Sequence, residues 1–320
     1  MTATKTPSKA DISKGLWLGL LGIAIFSVTL PMTRLAVGTA DAPQMSGAFI
    51  AFGRAVVAAA LSAIFLLATR APLPQRQHWL PLAITAGGVV FGFPLFTSIA
   101  MRYVEAVHAS VIVGVLPLAT AAVGALLHRQ RPSAGFWLCA AIGSVMVVTF
   151  AVLRSGSSGL AIHFADVLLL AAMLCASIGY GYGARLSQQM QAEHVICWAL
   201  VISLPLTLPL ALISWPQAPL KATTWAAFAY VAVFSMWIGF FAWYRGLALG
   251  GTVRVSQVQL VQPFMSMLFA VPLLGENLDI VTVGFGLAVI TTVFIGKKMP
   301  VHSVPPSTQG LLTPSRPLRP

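Results

Sequence analysis

The stretch RVSQVQLVQPFMSMLFAVPLLGEN, residues 254–277, decides the fold class of this chain. It is apolar enough to cross about 30 Å of hydrocarbon as a helix, yet it carries Gln257, Gln259 and Gln262 and is interrupted by Pro263. Amide groups without hydrogen-bond partners are costly in hydrocarbon, so these side chains must face other helices or water. The stretch therefore predicts a membrane helix that packs inside a larger bundle.

The composition of the whole chain agrees with that prediction. The 320 residues are 58% hydrophobic and 8% charged, with a mean hydropathy of +0.88, whereas soluble domains carry about 25% charged residues. The three cysteines lie in apolar runs and favour packing over a disulfide framework. The net charge of +12 comes from basic residues in loops and tails, which favours membrane topology over a nucleic-acid surface. These features predict an all-α polytopic membrane protein.

Ten apolar runs are long enough to be transmembrane helices. They are numbered as spans 1 to 10 and comprise residues 15–36, 46–68, 79–100, 106–127, 133–153, 165–185, 195–215, 223–244, 255–275 and 278–296. Of the 19 Lys and Arg residues, fourteen fall on one side of the predicted membrane, four on the other, and Arg54 within span 2. The positive-inside rule then predicts that both termini are cytoplasmic in the inner membrane.

The two halves of the chain show a weak internal repeat. When residues 100–130 are set against 246–276, Ser110 meets Ser256 and Pro117 meets Pro263. A five-span unit that is repeated once must be inverted in the membrane, as in many secondary transporters. We therefore expect a cytoplasmic leader at 1–14, two inverted five-helix repeats at 15–154 and 164–297, and a proline-rich disordered cytoplasmic tail at 298–320.

Span 9 carries a polar stripe along one face. At 100° per residue, Ser256, Gln259, Gln262, Pro263 and Ser266 fall within about one third of the helix circumference. The stripe has two interpretations, hydrogen bonding between helices or the wall of a cavity. We favour the cavity wall, because proline frees a backbone carbonyl near the middle of the span.

Spans 1 and 2 also carry polar groups. Ser27, Thr29, Pro31 and Arg34 lie in the outer half of span 1, where Arg34 is expected to extend towards the membrane interface. Arg54 lies about nine residues from the outer end of span 2, roughly 13 Å deep. An arginine at that depth needs an ion pair, helix carbonyls or a substrate carboxylate, and we favour a structural partner.

Glycines and aromatic residues mark spans 3, 6 and 8. Gly88 and Gly92 have the spacing that is typical of close helix packing. Tyr180 and Trp237 lie deep enough in their spans to be candidate cavity residues.

The Asp, Glu and His residues of the sequence all lie in loops or at span ends. This pattern predicts no proton relay in the middle of the membrane, no catalytic residues, no metal site and no cofactor. Glu276 is expected to interact with a helix terminus or turn at the outer rim. If protons drive transport, they would act through Glu276 or Asp166 at this rim.

Three segments of the chain resemble one known family. They are FSVTLPMTRLAV at 26–37, AMRYVEAVHASVIVGVLPLATAAVGALL at 100–127 and WYRGLALGGTVRVSQVQLVQPFMSMLFAVPLLGENL at 243–278. Together with the ten spans, they resemble the EamA-domain branch of the drug/metabolite transporter superfamily. The resemblance implies a permease for small metabolites with a cavity between its halves. The second repeat ends in Leu274-Gly275-Glu276 where the first has His128-Arg129-Gln130, so a role for paired glutamates does not carry over.

The expected function is that of a secondary transporter which exports amino acids or related compounds by alternating access. A carrier of sugars, nucleotide sugars or other solutes remains an alternative, as do a channel and a non-transporting membrane scaffold. The expected partners are a small-molecule substrate and the lipid bilayer, with a homodimer as a further possibility and no nucleic acid.

Overall fold

The computed structural model describes residues 9–127, 130–154, 164–250, 255–299 and 301–303, and most of them are helical. The α-helices are α1 (Lys9–Ser27), α2 (Thr29–Val37), α3 (Gly47–Ala68), α4 (Trp79–Ala86), α5 (Phe93–Ala100), α6 (Ala106–Val113), α7 (Leu116–Leu127), α8 (Ala134–Arg154), α9 (Phe164–Leu186), α10 (Ala192–Ile213), α11 (Ala222–Ala229), α12 (Gly239–Gly250), α13 (Gln262–Leu274) and α14 (Ile280–Lys298). Short 3₁₀-helices occupy Arg76–His78 and Ser256–Val261, and π-helical segments occupy Gly87–Gly92 and Tyr230–Ile238.

Among the described residues, seven helical stretches are long and apolar enough to cross a membrane. Three shorter apolar helices occupy Ala134–Val147, Val258–Leu274 and Ile280–Gly296. Each of these stretches coincides with one of the predicted spans. The prediction of an all-α polytopic membrane protein is therefore confirmed.

The chain ends depart from the predicted boundaries. Helix α1 begins at Lys9, inside the predicted leader, and the acidic Asp11 in its first turn favours that start. At the other end Lys298 still belongs to α14, and β2 (Val301–Ser303) pairs antiparallel with β1 (Gln130–Pro132). Lys298 and Val301–Ser303, at the start of the predicted tail, thus belong to regular secondary structure. Residues 1–8 and 304–320, which hold the rest of the leader and tail, lie outside the described residues.

Four connections meet at one end of the bundle. Residues of the 38–46, 101–105, 214–221 and 275–279 connections line a common wide opening there. Two, four and two of the predicted spans separate successive members of this set, as expected if neighbouring spans run in opposite directions. The β1–β2 pair joins the connection after α7 to the segment after α14.

The closest helix pairs join the two halves of the chain. Helix α1 packs along α12, α3 along α10, and α8 along α14, while α5 packs along α9. The π segment just before α5 also packs against α9: a Cβ atom added to Gly88 would lie 2.8 Å from the Cα of Gly179, and one added to Gly92 would lie 2.5 Å from the Sγ of Cys175. The close packing predicted for these two glycines is therefore confirmed.

Three spans are interrupted just before a proline. The helix breaks at Val28 ahead of Pro31, at residues 114–115 ahead of Pro117, and in the 3₁₀ segment ahead of Pro263. A proline has no N–H group and cannot bond to the carbonyl four residues earlier, so the regular α-helix is lost at each place. The breaks and the two π segments lie around the centre of the bundle.

Candidate substrate cavities

Two narrow cavities lie in the centre of the bundle, and Gln262 lines both. The Arg54 cavity is lined by Phe26, Thr29, Arg54, Val89, Phe93, Tyr180, Ser235, Met236, Phe240 and Gln262. The Gln259 cavity is lined by Leu30, Ser110, Val113, Leu116, Pro117, Gln259, Gln262, Pro263 and Ser266. Their volumes are about 20 and 10 Å³, which is room for about one water molecule each. Both cavities are lined by residues of both halves of the chain.

Arg54 is buried in the first cavity with only 2% of its surface exposed. Its Nε and Nη1 atoms have no hydrogen-bond partner among the described residues. Tyr180 of α9 lines the same cavity. Among the described residues, Nε and Nη1 therefore lack the structural partner that we favoured from the sequence, and Arg54 lines the cavity.

A hydroxyl pair completes the polar surface of the Arg54 cavity. Thr29 Oγ1 lies 2.8 Å from Ser235 Oγ, and both side chains are buried. Thr29 was a candidate from the sequence. Ser235 was missed, because a serine in an apolar span is common and its partner is 206 residues away in the chain.

The Gln259 cavity holds a second unpartnered polar group. Gln259 is 1% exposed, and within the described residues neither its amide nitrogen nor its amide oxygen has a hydrogen-bond partner. Pro117 and Pro263, which the repeat alignment matched, both line this cavity. Hydrogen bonding between helices therefore does not account for the side chain of Gln259.

The candidates Ser27 and Pro31 build the wall behind the cavities and do not line them. Pro31 leaves the carbonyl of Ser27 without its helical partner, and Ser266 Oγ donates to that carbonyl at 2.8 Å. The hydroxyl of Ser27 donates to the carbonyl of Ile23 at 2.7 Å. The backbone break in span 1 is thus joined to α13.

Trp237, a candidate cavity residue from the sequence, lines neither of these two cavities. Its ring packs against Phe65 and Phe241, with centroid distances of 6.3 and 5.0 Å, while its neighbours Ser235 and Met236 line the Arg54 cavity. The depth of a residue within a span does not determine which face of the helix it occupies. The π segment also changes which residues share a face of the helix here. The side chain of the candidate Ser256 lies outside the described residues.

A wide opening, the rim vestibule, lies at the end of the bundle where the four connections meet. Its volume is about 420 Å³, and Arg34, Glu105, Lys221 and Glu276 contribute charges to its lining. Arg34 lines this opening and donates a hydrogen bond to the carbonyl of Met101. A backbone acceptor within reach holds its head group in the protein.

Glu276 binds the start of another helix. Its two carboxylate oxygens accept hydrogen bonds from the N–H groups of Ala106 and Val107, at 2.8 Å each. These N–H groups belong to the first turn of α6, which has no internal partners for them. Burial raises the pKa of Glu276, and the two N–H groups oppose that effect in part. This is the helix-terminus contact that we expected for Glu276.

A buried acid–base pair was not expected. His108 Nε2 lies 2.7 Å from Asp166 Oδ1, with exposed fractions of 6% for His108 and 1% for Asp166. Asp166 is therefore buried and does not lie at a water-exposed rim. The pair joins α6 of the first half to α9 of the second. The available signal was that both residues lie just inside their spans at the same predicted end.

The described ranges contain no cluster of three or more His, Cys, Asp or Glu residues that could hold a metal ion. The polar groups that converge at the centre are one guanidinium, two amides and several hydroxyls. They can form hydrogen bonds and one ion pair with a small solute.

Comparison with known proteins places the chain among transporters. Residues 13–153 and 163–296 each match the model of the EamA-like transporter family. The chain is 40% identical over 285 residues to Uncharacterized transporter YdeK of Bacillus subtilis, covering 88% of this chain and 96% of the relative. An Uncharacterized transporter of Archaeoglobus fulgidus is 24% identical over 226 residues, covering 69% and 77%.

One solved structure supports the fold. A crystal structure, described only as that of a protein, matches with a TM-score of 0.59 and 17% identity, covering 89% of this chain and 98% of the other. The family model matches nearly the whole chain in two consecutive copies. The chain therefore belongs to the EamA-like transporter family, within the drug/metabolite transporter superfamily.

Proposed function

We propose that the protein is a secondary transporter that exports a small metabolite, an amino acid or related compound, across the inner membrane by alternating access. The observation that carries this proposal is the pair of central cavities. Residues of both halves of the chain line them, and Arg54 and Gln259 bring unpartnered polar groups to them. A solute that binds there would satisfy these groups at the junction of the two halves.

The proposal includes ten transmembrane spans arranged as two inverted repeats, with both termini in the cytoplasm. The helix contacts support it. The pairing of span 1 with span 8 has a counterpart in the pairing of span 6 with span 3. The interruption of span 4 before Pro117 has a counterpart in span 9 before Pro263, and π segments widen both span 3 and span 8. Such correspondences are expected of two repeats related by a two-fold axis in the membrane plane.

The difference in width between the openings supports alternating access. The rim vestibule measures about 420 Å³, whereas the central cavities hold about 20 and 10 Å³. A metabolite does not fit the centre in this conformation, so binding requires the halves to move apart. Interrupted helices at the centre supply points where such movement is least costly.

The alternatives account less well for the unpartnered groups. A membrane scaffold has no need of an uncompensated guanidinium in its interior. A channel needs a continuous path, whereas the centre here is nearly closed. A carrier of sugars or nucleotide sugars would use the same amides and hydroxyls. The counterflow test with a panel of substrates distinguishes it from an amino acid carrier.

The test is counterflow in proteoliposomes that contain purified protein, with a panel of labelled amino acids, organic acids and sugars. We expect saturable counterflow of one class of compound. Gln262→Leu should lower it about tenfold or more, because a lost hydrogen bond of ~1.4 kcal/mol corresponds to a factor of ten. Gln189→Leu, an exposed glutamine outside the cavities, serves as the matched control.

The outcomes separate the candidate functions. A carrier with this site is supported if the wild type shows saturable counterflow, Gln262→Leu abolishes it and Gln189→Leu does not. Flux that rises linearly with solute concentration indicates a channel. Absence of any flux across the panel from folded protein would favour a scaffold and refute the proposal.

A further inference from the structure

We propose that Arg54 binds a carboxylate group of the transported solute, so that the substrates are small carboxylic acids, amino acids included. This proposal rests on the proposed transport function and assigns the chemistry of its central site. It makes Arg54 the residue that selects for substrate charge.

The first argument is the burial of an unpaired charge. Arg54 is among the largest fully buried side chains, and Nε and Nη1 have no partner among the described residues. An uncompensated charge inside a membrane protein is costly, and such residues ordinarily pair with another group. Neither a carboxylate nor a carbonyl of the described residues accepts a hydrogen bond from these two nitrogens. A partner supplied by a solute would remove the cost.

The second argument is the charge balance of the site. Among the described residues that line the two cavities, Arg54 is the one Lys or Arg side chain, and the linings include no Asp or Glu. The carboxylate of a solute therefore neutralises the charge of Arg54, and the ammonium group of an amino acid would be bound by neutral oxygens such as those of Gln259 and Gln262. A phosphate dianion would leave an excess negative charge in a space that holds about one water molecule. The balance favours a carboxylate over a phosphate group.

The third argument is geometric. A guanidinium group presents parallel N–H donors that match the two oxygens of a carboxylate, and the resulting pair is strong where water is excluded. The Thr29–Ser235 hydroxyl pair lies in the same cavity, and Gln262 connects it to the cavity of Gln259. These neutral groups can bind the remaining polar atoms of the solute. Phe26, Phe93 and Phe240 complete an apolar wall.

The experiment is competition in the counterflow assay with three probes that share one carbon skeleton. Glycerate carries a carboxylate, glyceramide replaces it by a neutral amide, and glycerol 3-phosphate carries a phosphate. Leucine and leucinamide form a second pair. We expect each carboxylate to inhibit counterflow of the labelled substrate at least about tenfold more strongly than its amide, which corresponds to ~1.4 kcal/mol, and more strongly than the phosphate.

Variants connect this preference to Arg54. Arg54→Gln should reduce the preference for carboxylate over amide to near unity, and Arg54→Lys should retain part of it because the positive charge remains. Arg76→Gln, which removes an exposed arginine from the 76–78 turn, is the matched control and should leave the preference unchanged. Thermal unfolding of each variant in detergent establishes that it is folded.

Each outcome decides a separate question. Equal inhibition by carboxylate and amide in the wild type overturns the carboxylate proposal and leaves the transport function standing. Strongest inhibition by glycerol 3-phosphate overturns it in favour of a phosphate site. If Arg54→Gln shows saturable counterflow and keeps the preference for carboxylate over amide, another group binds the carboxylate. Absence of counterflow with every compound refutes the transport function itself. Should Arg54→Gln fail to fold, the wild-type competition and Arg54→Lys still decide.

Discussion

Arg54 is a charged residue at a buried position where an apolar side chain is expected to give a more stable protein. The side chain is 2% exposed and lacks partners for two of its nitrogens among the described residues. Residues that serve only the fold do not usually leave buried charges unpaired. An apolar side chain at this position would favour stability, whereas the guanidinium group can bind a solute. This contrast distinguishes a binding residue from a structural one.

Arg54→Met is therefore expected to raise the stability of the protein while it lowers the counterflow of a carboxylate substrate. Replacement of a buried charge by an apolar side chain of similar volume is often stabilising, by ~1–4 kcal/mol. In a thermal unfolding experiment in detergent, we expect the midpoint to rise by a few degrees in the absence of substrate.

Arg102→Met provides the contrast for this prediction. Arg102 Nη2 donates to the carbonyl of Met45 at 2.6 Å, so its removal leaves a backbone group without its partner and should lower the midpoint. A fall in the midpoint for Arg54→Met as well would mean that Arg54 is structural.

Sequence patterns identified some of these residues and missed others. Gln259, Gln262 and Arg54 were visible because amides and charges are rare in apolar spans. Trp237 lines neither the Arg54 cavity nor the Gln259 cavity, and depth within a span gave no information about which neighbours its side chain contacts. The His108–Asp166 pair was not predicted, because its partners are 58 residues apart and their shared position at one end of their spans does not show that α6 packs on α9.

The interrupted helices are the features that matter at the scale of elements. Pro117 and Pro263 stand just after the breaks of spans 4 and 9, and both line the Gln259 cavity. Not every proline has this position. Pro209 lies inside α10, is exposed on the surface of the bundle, and lines neither cavity.

Pro263→Ala is expected to slow counterflow by about tenfold and to leave the protein folded. Alanine restores an N–H donor and allows a regular helix through the 3₁₀ segment, which would stiffen span 9 at the site. The rate of counterflow in proteoliposomes measures the effect.

Pro209→Ala is the matched control for this prediction. It should leave the rate unchanged, because its position lies away from the cavities. Equal rates for Pro263→Ala and wild type would show that the break in span 9 has no part in transport.

The elements themselves were predictable to different degrees. Apolar runs of about 20 residues indicate helices directly, and prolines at 31, 117 and 263 indicate where three of them break. The π segments at 87–92 and 230–238 were not predicted. Such widening depends on the helices packed alongside, such as the close approach of Gly88 to Gly179, and not on a local pattern.

At the scale of the whole molecule, the packing of the two halves defines two opposite ends. The connections at 38–46, 214–221 and 275–279 share the rim vestibule. The connections that contain the 76–78 turn and the residues after α9 alternate along the chain with the connections of the rim vestibule. The basic-residue count predicts that the vestibule faces outward.

Labelling of single cysteines tests this arrangement in intact cells. We expect that an impermeant maleimide will modify cysteines introduced at Asp41, Gln217 and Asn277, all exposed positions. Cysteines at the exposed Gln77 and Gln189 should react only after the cells are opened. The native Cys139 and Cys197 are buried and Cys175 is partly buried, so background labelling should be low. Labelling of Gln77→Cys together with Asn277→Cys in intact cells would contradict the alternating arrangement.

The narrowness of the centre has an electrical consequence. Two cavities of about 20 and 10 Å³ hold about one water molecule each, too few to form a file along which protons could hop from one face to the other. Moving one elementary charge across a membrane potential of 100 mV is worth about 2.3 kcal/mol. A proton leak through a permanently hydrated pathway would dissipate this potential. In this conformation these two cavities offer protons no continuous path through the centre, so the membrane potential is not dissipated through them.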